Sequence, residues 1–366
     1  MRKIAVDYLH EGMIVAKPLY NAAGQILLNA GVALNSRFIR NLKKLAVPAI
    51  YIQDRLSEGI EVEDIISDEL RSKTVSEIKS VFQKMNQKDR FSLQNVSQVE
   101  RSLQDIIQEL VNNKNVLVNM VDVRSFDDYT YGHSVNVCIL SVLTGISLDL
   151  SRTALYHLGM GALMHDLGKM QVPKNILNKP GKLTEEEFAV MKGHSTYSYQ
   201  SLQKQPGISS LSALVAYQHH ERYDGSGYPN GLKGEEIHKF SQITGMVDMF
   251  DALTADRVYR KAFPVHEACE MISGAGNYYF DYSIIPAFLN NIASYPVGTL
   301  VELSSGCLGM VYQVDRGFLA NPVVKIITDE AKQRTSPYLL NMAERLDLVI
   351  SQVITEGQLK KAGVEF

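Results

Sequence analysis

One stretch, from Ala154 to Lys169, constrains the fold of this chain more than any other. Its first ten residues are mostly small or apolar at helical spacing, which predicts a largely buried helix. The helix leads directly into His165 and Asp166, and two polar side chains at the end of a buried helix need partners. Gly168 is expected to end the helix, and Pro173 to keep it from resuming. From this stretch alone, His165 and Asp166 can be interpreted either as a structural hydrogen-bonded pair or as part of a chemical site.

Further histidines and aspartates follow in similar contexts. Five of the nine histidines stand in short motifs with glycine, aspartate or another histidine: His133, His165, His194, His219 and His220. Asp248 and Asp251 place two carboxylates on one face of a helix predicted over 242–255. This set exceeds the four ligands of a closed zinc site and contains no thiolate. Nitrogen and oxygen ligands in this number suit two octahedral ions, such as iron or manganese, held about 3.5–4 Å apart by a bridging carboxylate.

Composition narrows the remaining classes of protein. The 366 residues are enough for two or more domains, and 37 basic against 40 acidic residues give no signature of binding to a nucleic acid polymer or a membrane surface. Three scattered cysteines predict neither a disulfide framework nor a zinc ribbon. The N-terminus lacks a signal-peptide core, and no run approaches the ~20 apolar residues of a membrane span. We therefore expect a cytoplasmic protein without membrane insertion.

The first part of the chain predicts a small α+β domain over residues 1–58. Short strands are expected within 13–16, 26–28 and 49–52. Asn35 stands where it can cap a helix that follows it. This part carries no cluster of titratable residues, so it is expected to be an accessory domain.

The rest of the chain reads as mainly α with a β-containing tail. Residues 59–120 predict two long helices, which pair as a hairpin or join a second copy of the chain in a homodimer. Residues 121–330 hold nearly all the chemistry, first as helices with long loops and then, from about residue 296, as short strands. Residues 331–366 form a C-terminal segment that the pattern does not assign.

Three motifs in a fixed order resemble those of the HD-GYP family, bacterial phosphodiesterases that open cyclic di-GMP. The motifs are HDLGK at 165–169, HHERYDGSGYP at 219–229 and DMFDALTADRVYR at 248–260. The resemblance covers about residues 122–314, and residues 1–54 are similar to a small N-terminal module found on some members. It implies a catalytic domain built as an HD-type helical bundle, with cyclic di-GMP as its substrate.

The resemblance also implies a ligand set for two divalent ions, with iron or manganese expected. The implied ligands are His133, His165, Asp166, His194, His219, His220 and Asp248. Asp166 would bridge the ions, and a hydroxide held between them would attack the phosphate. Lys169 would lie beside the ions and the scissile phosphate, and Asp251 would orient a ligand or a water.

For the substrate, the resemblance implies contacts from Tyr228, Arg257 and Arg260, the arginines through forked hydrogen bonds to phosphate. Gly227 belongs to a glycine-rich stretch over 224–234 that would let the substrate approach the backbone closely. From the residues alone, this stretch is also compatible with an ordinary loop, and the arginines with surface ion pairs. Arg257 reaches the metal site only if the preceding helix has ended before it.

One position departs from the family pattern. Some HD-GYP proteins carry a glutamate four residues before the first histidine, where it helps to hold a third ion, but this chain has Tyr129 there. A neutral phenol with a reference pKa of ~10 is a poor ligand for a divalent ion. On a helix, Asp127 and Asp128 point about 200° and 100° away from Tyr129. We therefore expect two ions.

Two other functions stay open at this point. The first is an HD-type phosphohydrolase that acts on another nucleotide, which a panel of substrates would separate from the reading above. The second is a catalytically silent sensor that binds a cyclic dinucleotide. No ligand position of the family pattern is lost here, which argues against the silent sensor.

Overall fold

The computed structural model describes residues 1–20, 25–45, 47–85, 93–118, 129–255, 261–361 and 363. The chain divides into two compact units. Unit 1 consists of Met1–Asp64, Val116–Tyr129 and Ile292–Phe366, and unit 2 of Ile65–Asn115 and Thr130–Asn291. Within the described ranges, every helix is too short or too polar to cross a membrane.

Unit 1 begins with a small α+β fold. Its elements are β1 (Arg2–Ala5), β2 (Ile14–Val15), β3 (Leu19–Tyr20), β4 (Ile26–Leu28), α1 (Ser36–Lys44) and β5 (Ala49–Gln53). β5 lies between β1 and β2 in an antiparallel sheet, with Ile4 opposite Ile50. Asn35 caps α1 by accepting a hydrogen bond from the backbone N–H of Phe38. The predicted strands and helix are confirmed, and β1 and β3 are additional to them. The sequence at 21–24 also predicts a turn, and these residues lie outside the described part.

Helices, joined by loops, make up most of the described part of unit 2. Its α-helices are α2 (Asp68–Met85), α3 (Leu93–Asn112), α4 (Tyr129–Ser147), α5 (Arg152–Met164), α6 (Lys174–Leu177), α7 (Glu185–Gln203), α8 (Ser210–Gln218), α9 (Lys239–Thr254), α10 (Val265–Gly274) and α11 (Ile285–Leu289). α8 packs against α5, α7 and α9, so the helices that carry the histidine and aspartate motifs are neighbours. The predicted helical character of this region is confirmed.

Helices α2 and α3 pack against each other, as the hairpin interpretation predicts. Their apolar side chains, including Ile78, Phe82, Leu103 and Ile106, are buried within the single chain, and α3 also packs on α5. The apolar side chains of these two helices are therefore covered by other helices of the same chain. A homodimer through this region stays a prediction.

The prediction that Gly168 ends the first helix is wrong. α5 ends at Met164, and residues Leu167–Gln171 form a short 3₁₀ turn that contains Gly168. A side chain at Gly168 would place its Cβ 2.0 Å from the backbone oxygen of His194, so the glycine allows this turn to lie directly against α7. Pro173 does not prevent further helix either, because it precedes the short helix α6.

The remainder of unit 1 is an antiparallel sheet followed by a short helix. The elements are β6 (Leu300–Leu303), β7 (Leu308–Gln313), β8 (Val323–Thr328), β9 (Arg334–Asn341), β10 (Ile350–Val353) and α12 (Glu356–Lys361). The strand order is β10-β6-β7-β8-β9. The β-type tail predicted from about residue 296 is confirmed. The last two strands lie in the segment that the sequence pattern leaves unassigned.

Candidate metal centre

Seven side chains with metal-binding atoms meet in unit 2, brought together by the ends and faces of five helices. They are His133 on α4, His165 and Asp166 after α5, His194 on α7, His219 and His220 after α8, and Asp248 on α9. Within three overlapping subsets, the possible ligand atoms all lie within 4.8 Å of one another. These subsets are His133 with His165 and Asp166, His194 with His219 and His220, and His165 with His219 and Asp248.

Asp166 lies between two groups of histidines. Its Oδ2 is 3.4 Å from Nε2 of His165 and 3.8 Å from Nε2 of His133. Its Oδ1 is 3.5 Å from Nε2 of His194, on the other side of the carboxylate. The two oxygens of one carboxylate therefore face two different sets of imidazoles, which is the arrangement that a bridging carboxylate requires.

Hydrogen bonds to the backbone fix the tautomer of three of these histidines. Nδ1 of His165, His194 and His219 donates to the backbone carbonyl three residues earlier, at 2.7, 2.7 and 2.9 Å respectively. A carbonyl oxygen only accepts, so the proton of each neutral ring must be on Nδ1. Each Nε2 then carries a lone pair, and this atom is the one that faces the cluster.

Burial keeps the imidazoles of His194, His219 and His220 neutral. It lowers the pKa of His194 to about 4 and that of His220 to about 3. Burial, together with the neighbouring His220 ring, also lowers the pKa of His219 well below its usual range. Neutral imidazoles are the form that binds a metal ion.

His133 differs from these histidines because two carboxylates hold it. Its Nδ1 donates to Asp251 Oδ2 at 2.6 Å, and its Nε2 lies 3.0 Å from Asp248 Oδ1. Burial by itself lowers the pKa of His133, but the hydrogen bonds with Asp248 and Asp251 outweigh it and raise this pKa to about 10. Asp251 thus contacts the face of His133 opposite to the cluster, as expected of a residue that orients a ligand.

Two buried atoms of the cluster test whether a metal ion fits. In the part of the chain that the structure describes, neither Nε2 of His165 nor Oδ1 of Asp166 has a hydrogen-bond partner, and both are buried. A buried polar atom without a partner is costly unless something else satisfies it. A divalent ion satisfies a nitrogen lone pair and a carboxylate oxygen together. The donor set therefore fits first-row divalent ions.

Lys169 lies at the edge of this cluster, partly exposed. Its ammonium donates to Asp166 Oδ2 at 2.5 Å. Burial by itself raises the pKa of Asp166, but the Lys169 ammonium and the His165 ring outweigh it and hold this pKa well below its usual range. The ammonium thus lies next to Asp166, and its predicted place beside metal ions and a phosphate stays a prediction.

The glycine-rich loop is fixed to the cluster by Glu221 and Tyr228. Glu221 is buried, and its two carboxylate oxygens accept hydrogen bonds from the backbone N–H groups of Asn230 and Leu232, at 2.7 and 3.0 Å. Tyr228 stacks on the ring of His220, with ring centres 4.7 Å apart. A Cβ on Gly227 would lie 2.3 Å from a backbone nitrogen of the same loop, so glycine is required here by packing.

Phe188 and Lys192, one turn apart on α7, form a wall beside Tyr228. The ring of Phe188 is edge-on to Tyr228 with centres 6.3 Å apart, and 45% of Phe188 is exposed. The Lys192 ammonium lies 5.2 Å from the centre of the Phe188 ring and 5.8 Å from that of Tyr228. An exposed aromatic ring and a cation thus stand next to the tyrosine of the loop.

Four residues of the site were not predicted from the sequence: Phe188, Lys192, Glu221, and Asn136, which donates from Nδ2 to Asp251 Oδ1 at 3.2 Å. Signals for two of them exist. Glu221 directly follows the His-His pair, and Asn136 lies three residues after His133, on the same helical face. Phe188 carries no such signal, because only its position in the folded chain brings it to Tyr228.

Several predicted residues lie outside the described part of the chain. Arg257 and Arg260 are among them, as are Asp127 and Asp128. α9 ends at Thr254, so the helix has ended before Arg257, which is the condition set for it to reach the site. Tyr129 is the first residue of α4, and its side chain lies outside the described part.

Comparison with known proteins places this cluster in a known family context. Residues 106–284 match the HD domain family. The chain is 38% identical over 222 residues to a cyclic di-GMP phosphodiesterase of Pseudomonas aeruginosa, covering 61% of this chain and 53% of that protein. It is 35% identical over 187 residues to a cyclic di-GMP phosphodiesterase of Thermotoga maritima, covering 51% of this chain and 50% of that protein.

A third relative is named for a different cyclic dinucleotide. The chain is 42% identical over 149 residues to a 3'3'-cGAMP-specific phosphodiesterase of Vibrio cholerae, covering 41% of this chain and 32% of that protein. The chain thus spans about half the length, or less, of these curated relatives. Every ligand-type residue of the cluster falls within the matched residues 106–284.

Proposed function

We propose that this chain, whose residues 106–284 match the HD domain family and which carries motifs resembling those of the HD-GYP family, is a metal-dependent phosphodiesterase that hydrolyses cyclic di-GMP. The relatives named as cyclic di-GMP phosphodiesterases support the substrate. The cluster of histidines and aspartates supports the chemistry. Residues 121–330 act as the catalytic part and residues 1–58 as an accessory module.

The observation that carries this proposal is the position of Asp166 between two groups of imidazoles. One ion would be held by Asp166 with His133, His165 and Asp248, and a second by Asp166 with His194, His219 and His220. Two such ions, when bound, lower the pKa of a coordinated water toward ~7 and polarise the phosphate ester. We propose two ions rather than three because Tyr129 replaces an acidic residue, and iron or manganese because the ligands are imidazoles and carboxylates.

The chain's own residues have three tasks around these ions. Asp251 holds His133 in place by accepting its Nδ1 proton at 2.6 Å. The Lys169 ammonium, beside Asp166, offers a positive charge to a non-bridging phosphate oxygen. Glu221 anchors the loop that carries Tyr228, so this ring is held over the site rather than left free in solvent.

The wall of Phe188 and Lys192, together with the neighbouring Tyr228 ring, suits a purine nucleotide. Base rings stack on exposed aromatic side chains, and an ammonium attracts phosphate or the carbonyl edge of guanine. Arg257 and Arg260 complete the proposed contacts to phosphate. The exposed Phe188 ring beside Tyr228 thus acquires a reason to be exposed.

A second candidate substrate is 3'3'-cGAMP, which one relative is named for. It differs from cyclic di-GMP in one base and leaves the phosphodiester chemistry unchanged. The two candidates therefore share a metal centre and differ only in contacts to the bases.

The deciding experiment is anaerobic purification of the full chain, metal analysis, and product identification from a panel of cyclic dinucleotides. We expect about two ions per chain and conversion of cyclic di-GMP to a linear dinucleotide or to GMP. Faster turnover of 3'3'-cGAMP than of cyclic di-GMP would make 3'3'-cGAMP the preferred substrate, and the reaction would still be phosphodiester hydrolysis. If the fully metal-loaded protein hydrolyses none of the panel but binds cyclic di-GMP, the chain is a sensor and not an enzyme.

Two histidine variants provide the matched comparison for this experiment. His194→Asn removes an imidazole from the cluster, and we expect it to lose one ion and nearly all turnover. His10→Asn changes an exposed histidine of unit 1, and we expect it to keep both. Equal activity of the two variants would contradict the proposed centre.

A further inference from the structure

A line of hydrogen bonds runs from helix α2 to a histidine of the cluster, entirely within unit 2. The Arg71 guanidinium on α2 donates to Oδ1 of Asn136 on α4. Nδ2 of Asn136 donates to Asp251 Oδ1 at 3.2 Å, and Asp251 Oδ2 accepts from His133 Nδ1 at 2.6 Å. Asn136 and Asp251 are buried, so water does not compete for these bonds.

Arg71 and Asp251 favour the same orientation of the Asn136 side-chain amide. A guanidinium has donors only, so the amide must turn its oxygen toward Arg71. Its NH₂ group then faces Asp251, where it donates to the carboxylate. In the opposite orientation the amide oxygen would face a carboxylate oxygen, and two acceptors would repel each other. Oxygen and nitrogen of an amide differ little in shape, so the donor Arg71 and the acceptor Asp251 together select this orientation.

The orientation of Asn136 matters because Asp251 has two oxygens and both are used. One accepts from Asn136 and the other from His133. A carboxylate held at both oxygens cannot rotate away from the imidazole. The ring of His133 then keeps its Nε2 directed at Asp248 and Asp166.

We propose that Arg71 is a positioning residue of the metal centre, acting on His133 through Asn136 and Asp251. This inference rests on the proposed metal centre and adds to it a residue from the helical hairpin. α2 carries none of the ligands named above, yet a displacement of α2 that breaks the bond between Arg71 and Asn136 would weaken metal binding. The hairpin thereby becomes a place from which the centre can be controlled.

The test measures metal affinity, and a control on the same helix separates a positioning role from an effect of general stability. The full-length protein is stripped of metal, and Mn²⁺ is titrated against a chromophoric chelator. Arg71→Met keeps the length of the side chain and removes its donors. Outer partners of metal ligands typically contribute about 10–100-fold to affinity. One step further out, we expect Arg71→Met to weaken the Mn²⁺ site that contains His133 by about threefold to tenfold, and to lower kcat with an unchanged KM.

Lys73→Met is the matched control on the same helix. Lys73 is also a cation, and it pairs with Asp105 on α3 at 3.6 Å, away from the line of bonds. We expect its Mn²⁺ affinity to equal that of the unmodified protein. Equal loss in both variants would show that α2 acts only through general stability, and would overturn the inference.

A double variant tests the route. If Arg71 acts through Asn136, combining Arg71→Met with Asn136→Ala weakens Mn²⁺ binding no further than Asn136→Ala alone. Additive losses would overturn the proposed route. If Arg71→Met fails to fold, Arg71→Lys replaces it, because Lys keeps a donor for Asn136, and we expect Mn²⁺ affinity within about twofold of the unmodified protein.

The results separate this inference from the proposed function. Absence of Mn²⁺ binding by the unmodified protein would contradict the metal centre itself. Normal binding by both the unmodified protein and Arg71→Met would contradict only the role of Arg71.

Discussion

The ring of Tyr228 stacks on the imidazole of His220, with centres 4.7 Å apart and planes inclined by 29°. Tyr228 belongs to the glycine-rich loop, and His220 is a proposed metal ligand. The same tyrosine ring lies edge-on to Phe188 at 6.3 Å. One side chain therefore contacts both the metal centre and the exposed wall proposed to receive a base.

Substitution of Tyr228 is expected to affect both sides of this contact. Tyr228→Phe keeps the stacked ring, so we expect metal content and KM to stay close to those of the unmodified protein. Tyr228→Ala removes the ring, and we expect a KM for cyclic di-GMP raised by about tenfold, because base–aromatic contacts contribute about 1–3 kcal/mol. Steady-state kinetics with parallel metal analysis provides the measurement. A large loss in Tyr228→Phe would instead assign the role to the hydroxyl group.

Substitution of Asp166 is expected to remove two ions from the chain, whereas substitution of a histidine is expected to remove one. Its carboxylate faces both groups of imidazoles and offsets the mutual repulsion of two cations. We expect Asp166→Ala to bring the metal content from about two ions per chain to nearly none, with loss of turnover. Asp347→Ala, at an exposed aspartate of unit 1, provides the control. One retained ion in Asp166→Ala would refute bridging, and three ions in the unmodified protein would refute the expected number.

Phe188 is expected to contribute to substrate binding without affecting the metals. Phe188→Ala removes the exposed ring, and we expect a higher KM for cyclic di-GMP, by roughly tenfold, with an unchanged metal content. Val190→Ala on the same helix is the control, because Val190 is 39% exposed and is also apolar. An equal and small change of KM in both variants would show that Phe188 is an exposed residue without a role in substrate binding.

Metal binding is expected to release a proton from His133. At pH 7 the metal-free imidazoles of His194 and His220 are already neutral, because their pKa values are about 4 and about 3. His133 is protonated, because its pKa is about 10, and it must lose that proton to bind a metal. Affinity should therefore rise with pH between about 6 and 8.5.

Calorimetry in buffers with different heats of ionisation measures this release directly. We expect about one proton per chain when Mn²⁺ binds at pH 7, and none in His133→Asn, which lacks the ionisable ring. A heat of binding that is the same in every buffer would show that His133 is neutral before the metal arrives.

The parts of the site that follow from short motifs could be predicted from sequence. His165-Asp166 and His219-His220 stand at the ends of buried helices, where polar residues need partners, so their convergence was a reasonable expectation. The resemblance to the HD-GYP family is confirmed by the match of residues 106–284 to the HD domain family and by similarity to proteins named as cyclic di-GMP phosphodiesterases.

The residues that hold the ligands were less accessible to prediction. Ser198 donates to the backbone oxygen of His165 and accepts from the backbone N–H of Gly168, thereby fixing the turn after α5 against α7. A serine in the middle of a helix gives no sign of this, because the bond depends on how two helices approach each other. The same holds for Gly168, where close approach to His194 rather than a helix end explains the glycine.

Glu221 has a consequence for protein engineering. Because Glu221 follows His220 directly and its carboxylate accepts hydrogen bonds from Asn230 and Leu232, the segment 219–232 is connected as one structural cassette. A chimera that takes only the glycine-rich loop from a relative would attach a different backbone to Glu221. The carboxylate of Glu221 is positioned for the backbone N–H groups of this chain's own loop. Exchange of the whole cassette, from the first histidine to the second anchored amide, keeps ligands, anchor and loop matched. Attempts to retarget this chain should therefore cut before His219 and after Leu232.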